Sequence, residues 1–289
     1  MHFALSDLLA EYAGSALLTA NTLRLHQTGL HHFARFLGRI PTVLDLCDQT
    51  VCRYISSRIA VGKSRATVRG ECAKLLALWR YAARHRYVEQ WPSLKLPRQP
   101  ERAPLAWTRP ELDRLFAATQ LAGPVGNVPG FLWWGALASC LWDTGERIGA
   151  MLGLEWYGVD LAGLTLVLPA EVRKGRACDR IYRIAMDTAE RLSRLPRDRR
   201  PFFWPYHEST LYNRYKRLLE RAGLPSDRRS KFHRIRRSTA SHYAAAGGDA
   251  TELLGHSSRA VTRLYLDPRL CGPPPAVDLL FRPGVPEDT

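Results

Sequence analysis

Pro92, Pro97, Pro100 and Pro104 all fall within residues 91–105, and this cluster constrains the architecture of the chain more than any other stretch. Proline fixes φ and removes a backbone donor, so neither a helix nor a central strand can run through so dense a set. Lys95, Arg98, Glu101 and Arg102 add charge, and the segment is expected to be an extended, semi-rigid linker. The chain on each side must therefore bury a core of its own, and residues 1–90 and 106–289 are both long enough to do so.

Upstream of the linker the apolar residues recur at helical spacing. Leu5, Leu8, Leu9 and Tyr12 form one stripe, and Leu23, Leu30, Phe33, Phe36 and Leu37 form the next, with Thr22 near its start. After Pro41, Val43-Leu44-Asp45-Leu46 leads into a third segment around 51–59. Gly62-Lys63-Ser64 breaks the pattern before a long helix over 67–87. This reads as a small all-helical bundle. Downstream, Thr108-Arg109-Pro110-Glu111 has the cap, early proline and early acid of a helix start. Further helix is expected over 131–144, with a break at Gly145, then over 148–154, 187–195, 209–222 and 232–246. Residues 164–168 and 179–184 alternate as strands do, joined by a polar loop holding Arg173-Lys174-Gly175-Arg176. The expected fold class is mainly α with a small antiparallel β-sheet (α+β). Its domains are a helical one over 1–90, the linker over 91–105 and a larger one over 106–289.

Charge sets the class of partner. Lys+Arg number 42 against 27 Asp+Glu, a net +15, which favours a polyanionic partner, nucleic acid before any other. No apolar run approaches the roughly 18 residues of a membrane helix. The first residues lack the basic start of a signal peptide. A cytoplasmic, nucleoid-associated location without membrane contact is expected. The six Cys include no CxxC pair, and reduced, mostly buried thiols are expected.

Some motifs fail on inspection. Gly62-Lys63-Ser64 resembles the end of a phosphate-binding loop, but the required upstream glycine position is Ser57. His207-Glu208 begins like a zinc-protease motif and lacks the second His. No Cys/His set has structural-zinc spacing, and no carboxylates are arranged like a two-metal nuclease. The expected mechanism uses no metal and no cofactor.

Residues 233–265 carry the chemistry. His233 and Arg236 are three apart and share a helix face. Leu253-Leu254-Gly255-His256-Ser257-Ser258 follows, and Tyr265 lies nine residues after His256. Phosphate donors followed at fixed spacing by a hydroxyl point to covalent phosphoryl transfer. Lys174 is the only lysine between Lys95 and Lys216. Arginine stays protonated at workable pH, whereas a lysine among cations can release a proton. Arg147 follows Gly145 at a bend, where the core could hold it towards a phosphate. Taken singly, each has an ordinary alternative: a surface salt bridge for Arg147, a turn lysine for Lys174, a solvated basic face for Arg234, Arg236 and Arg237, a capping or core role for His256.

Together, Arg147 within 144–156, Lys174 in the strand–strand loop, His233-x-x-Arg236, the 253–258 block and Tyr265 resemble the tyrosine recombinase (phage integrase) family, across the whole chain. The resemblance implies a core-binding domain over 1–90 and a catalytic domain over 106–289. It implies that Tyr265 attacks a DNA phosphate to give a 3′-phosphotyrosine and a free 5′-hydroxyl. Arg147 and Arg236 would neutralise the transition state, Lys174 would protonate the leaving oxygen, His233 would assist proton transfer, and His256 would donate a hydrogen bond to the phosphate. The implied partners are double-stranded DNA with specific sites, a homotetramer on two duplexes and accessory DNA-bending proteins. The short lead before Leu5 is expected to leave no room for an arm-binding domain. Residues 276–281 are expected to dock on a neighbouring protomer or in cis. Two departures stand out: Ala150 occupies a position that is often acidic, which turns attention to Glu146 for support, and residues 247–252 make a short connection. The competing functions are DNA relaxation of the type IB topoisomerase kind and a catalytically silent DNA-binding regulator.

Overall fold

The structure, a computed structural model, describes residues 3–98, 102–173 and 178–272. Lys174 and the expected docking segment 276–281 lie outside the described residues. The chain divides into two compact units, Met1–Glu101 and Arg102–Thr289. No helix among the described residues is long and apolar enough to cross a membrane.

The first unit contains α1 (Leu5–Ser15), α2 (Ala20–Leu37), α3 (Asp48–Ala60) and α4 (Arg65–Arg84). Thr19 caps α2 by accepting the Thr22 N–H, and Ser64 caps α4 by accepting the Thr67 N–H. Gly38, left-handed at φ 69°, ends α2. The apolar stripe of α4 (Val68, Cys72, Leu75, Trp79) meets α1, α2 and α3. Buried Glu71 joins α3 to α4 by accepting from Tyr54 Oη at 2.9 Å and from Arg58 at 2.8 and 2.7 Å.

The proline-rich segment is not free chain. Its first part stays with this unit: Trp79 Nε1 donates to the carbonyl of Gln90 just before it at 2.6 Å, and Leu94 and Leu96 pack on the core. Its last residues belong to the second unit.

In the second unit, α5 (Arg109–Thr119) starts with a capping box between Thr108 and Glu111 and has proline in its first turn. The next helix, α6 (Gly130–Thr144), is apolar on every face, as a helix surrounded by protein must be. It packs against α5, α7 (Ile148–Leu152) and, further along the chain, α8 (Met186–Ser193) and α10 (Phe232–Ala245). Between α7 and α8 lies a three-stranded antiparallel sheet in the order β1 (Val159–Asp160), β2 (Thr165–Leu168), β3 (Arg180–Arg183). Thr165 pairs with Arg183 and Leu168 with Arg180; Leu166 and Leu168 turn inwards. Helix α9 (Glu208–Arg221) follows. Beyond α10 come three short helices: α11 (Ala250–Leu254), α12 (Arg259–Arg263) and α13 (Pro268–Cys271). The fold is mainly α with a small antiparallel sheet.

The expectation for the cysteines needs correction. All six are unpaired, but only Cys72 and Cys140 are buried, and Cys52 and Cys178 are exposed. Cys72 and Cys140 fall on the core-facing sides of α4 and α6, Cys52 faces outwards on α3, and Cys47 and Cys178 lie outside the helices.

Candidate active site

Phe232 fixes the start of α10. Its ring stacks on Tyr215 with centroids 4.0 Å apart and lies parallel to Trp134. With that residue held in the core, helical spacing puts Arg236, four residues on, on the same buried face, and His233 and Arg237 on the face beside it. Arg236 is 1% exposed. It donates to Gly145 O at 2.6 Å and to Leu254 O at 3.0 Å, and its Nη2 is 3.4 Å from His256 Nε2. These contacts tie α10 to the ends of α6 and α11. Both ends are left-handed glycines, Gly145 at φ 60° and Gly255 at φ 59°. Gly255 turns the chain so that His256 faces Arg236, while His256 Nδ1 lies 3.1 Å from Thr262 Oγ1.

Tyr265 completes the group from the connection between α12 and α13. Its half-buried ring lies between two imidazoles, with centroids 5.0 Å from His233 and 4.7 Å from His256. The Arg236 guanidinium is 5.7 Å from the same ring. Arg147, at the cap of α7, lines a cleft of roughly 550 Å³ together with His233 and Arg236. The structure thus gathers Arg147, His233, Arg236, His256 and Tyr265 in one place.

Electrostatics explain the supporting groups. Glu146, 2% exposed, accepts from Arg147 N–H at 2.9 Å, Arg173 Nε at 2.8 Å and Tyr182 Oη at 2.8 Å, and sits 3.6 Å from Arg236. Burial pushes its carboxyl up, but the hydrogen bonds and the Arg236 charge outweigh that and hold it below the ordinary range. A buried anion is needed here because Arg236 is itself buried. Ala150 is buried at the cleft, and Glu146 supplies the nearby acid.

Arg173 is not the loose loop cation that its place beside Lys174 suggests. It is 4% exposed and donates inwards to Glu146 and to Cys178 O. It therefore links Cys178 to Glu146. Arg237 is half-buried, and its Nε has no hydrogen-bond partner among the described residues.

His233 is pushed down to about 4, first by desolvation and then by repulsion from Arg237, Arg236, Arg147 and His256. Its surface remains partly open to solvent, which weakens the first cause. The cations act in the same direction, so the neutral form is favoured on either count. Among the described residues, no three His, Cys, Asp or Glu side chains gather as metal ligands would.

The family described as phage integrase matches residues 110–270, more than half of the chain. The chain belongs to the phage integrase family. Among relatives of this integrase-family protein, the tyrosine recombinase XerC of Oceanobacillus iheyensis is 26% identical over 264 residues, covering 84% of each chain. The tyrosine recombinase XerD of Listeria innocua is 21% identical over 268 residues, covering 86% of this chain and 88% of that one. In fold, the chain is similar to a lambda integrase tetramer bound to a Holliday junction. The TM-score is 0.71 at 17% identity, covering 93% of this chain and 78% of that one. It is also similar to the Tn1549 transposon integrase in complex with transposon right end DNA, with TM-score 0.69 at 14% identity, covering 91% and 95%.

Proposed function

We propose that the protein is a site-specific DNA recombinase that cuts and rejoins duplex DNA through a 3′-phosphotyrosine. The observation that carries this is the position of Tyr265, between His233 and His256 and beside Arg236, in a chain of the phage integrase family. Tyr265 Oη attacks the phosphorus while its proton passes to neutral His233. The bond from phosphorus to the 5′-oxygen breaks, and Lys174 protonates that oxygen. Arg147 and Arg236 neutralise the charge that builds on the non-bridging oxygens, and His256 donates a hydrogen bond to them. The tyrosine ester keeps the energy of the broken phosphodiester, so attack by a 5′-hydroxyl reseals the strand without ATP.

The first unit, as a core-binding domain, and the second, as a catalytic domain, would hold the duplex between them. Four protomers on two duplexes would exchange strands, in the cytoplasm on nucleoid DNA, with accessory bending proteins on some sites. A relaxing enzyme or a silent regulator is not favoured, because the relatives are recombinases and the tyrosine has its histidines beside it.

The experiment uses nicked duplexes drawn from the gene's flanks, incubated with wild type and with Tyr265→Phe. Wild type should form a covalent protein–DNA adduct and the Phe variant none. An adduct that persists in Tyr265→Phe would remove the nucleophile assignment.

A further inference from the structure

Tyr265 stands on a weak mounting. It lies between α12 and α13, which contain five and four residues, far below the length at which a helix holds itself. Something outside these helices must keep the ring between His233 and His256.

The contacts identify it. Asp267, two residues after Tyr265, is 0% exposed. Its carboxylate accepts the Ala106 N–H at 2.8 Å, the Arg269 N–H at 3.0 Å and the Arg269 guanidinium at 2.6 Å. Its own N–H donates to buried Ser241 Oγ at 2.9 Å, and the same hydroxyl donates to Tyr265 O at 3.4 Å. The chain entering α5 is in turn strapped across α10. Trp107 N–H donates to Ser238 Oγ at 2.6 Å, His242 Nε2 is 2.9 Å from Trp107 O, and the Arg234 guanidinium lies 3.3 Å over the Trp107 ring. Arg234 also donates to Ala106 O at 3.2 Å.

Burial alone would push the Asp267 carboxyl up. Hydrogen bonds from Arg269 and Ala106 overcome that and hold it low, so the clamp carries a full negative charge. A buried charge with four donors is a costly way to hold a surface turn, and it is placed where a displacement of about 1 Å would move the tyrosine hydroxyl off its line of attack.

We propose that Asp267 is a positioning residue for the nucleophile, fastening the Tyr265 segment to α10 through Ser241 and to a strap formed by Ala106 and Trp107. This rests on the recombinase reading of Tyr265. The strap directly follows the proline-rich segment, so the geometry of the nucleophile depends on residues 161 positions away in sequence.

The test compares full-length wild type, Asp267→Ala, Asp267→Asn and Ser241→Ala by amide hydrogen exchange without DNA and by adduct formation on the nicked flank duplexes. Asp267→Ala should exchange about tenfold faster over 264–270, with α6 amides unchanged. Asp267→Asn, which keeps one acceptor oxygen, should fall between, and Ser241→Ala should loosen the same segment without removing a charge. Adduct formation should slow by roughly 10- to 100-fold in Asp267→Ala while affinity for the duplex stays within about twofold. Unchanged exchange over 264–270, or equal acceleration throughout α6, overturns the proposal. So does a loss of affinity as large as the loss of rate. If wild type forms no adduct with any duplex, the recombinase reading fails, and the exchange result still decides whether the clamp exists.

Discussion

His233 stands beside three arginines and a tyrosine, and its proton affinity follows from that company. A histidine held at about 4 is neutral throughout the physiological range, the form that the proposed proton transfer from Tyr265 requires. In DNA-free protein the His233 ring should titrate near pH 4 by NMR, and Arg237→Gln should move it upwards by removing the largest repulsion. Titration near 6.5 in wild type would contradict the account. The sign for stability is fixed as well. With the folded value lowered, the unfolded chain binds the proton first. Stability therefore falls as pH drops from about 6.5 towards 4 and is complete above that window. At this scale the sequence was most legible, because spacing within one helix turn and one short block is local. Glu146, Arg173 and Tyr182 were harder. Their meeting spans 36 residues, and only Glu146, adjacent to Arg147, had a positional hint. Asp267 and Arg237 had none beyond their nearness to Tyr265 and Arg236.

Helix ends, more than helix interiors, place the groups of the site. Gly145 closes α6 in the left-handed region, and its carbonyl is the acceptor that orients Arg236. A Cβ there would meet Leu254 Cδ2 at 3.3 Å and Thr239 Cγ2 at 3.4 Å. Gly145→Ala should cost about 1–2 kcal/mol in urea denaturation from the backbone conformation alone. It should also slow adduct formation by displacing Arg236. Gly149→Ala makes the control for stability, since Gly149 is helical and a Cβ there would enter open space; it should be neutral or slightly stabilising. A loss for Gly149→Ala equal to that for Gly145→Ala would show that neither the left-handed φ nor the close packing matters. The long helices were readable from periodicity because they fill a window of three turns or more. Helices α11, α12 and α13 were not, because four or five residues carry no period. Their signal was instead in their caps: Asp249, Ser258 and Asp267 each accept a backbone N–H of the first turn. The division of the proline-rich segment between the two units was equally invisible, since the contacts at its flanks are made by the Gln90 carbonyl and the Ala106 amide, backbone groups that carry no sequence signature.

Over the whole molecule the positive charge is shared. Residues 1–101 hold 14 Lys+Arg against 7 Asp+Glu, a surplus of +7, and residues 102–289 hold the remaining +8 of the +15. Each unit also has its own apolar core. A surplus confined to the second unit would fit a protein that meets DNA on one side, with the first unit serving another purpose. Nearly equal surpluses fit two units that each contact backbone phosphate. Salt dependence separates these cases, because each neutralised phosphate adds about 0.9 to the slope of log affinity against log salt. With roughly six to ten contacts, the number expected of a clamp around a duplex, affinity should fall by roughly 10³- to 10⁵-fold between about 50 and 200 mM salt. The fragment 102–289 should bind the same duplex with a slope about half as steep, since close to half the excess charge has been removed. Fluorescence anisotropy over a series of salt concentrations measures both slopes. Equal slopes for fragment and full chain would mean that the first unit touches no phosphate, and the clamp between two units would be lost while the chemistry at Tyr265 stood unaffected.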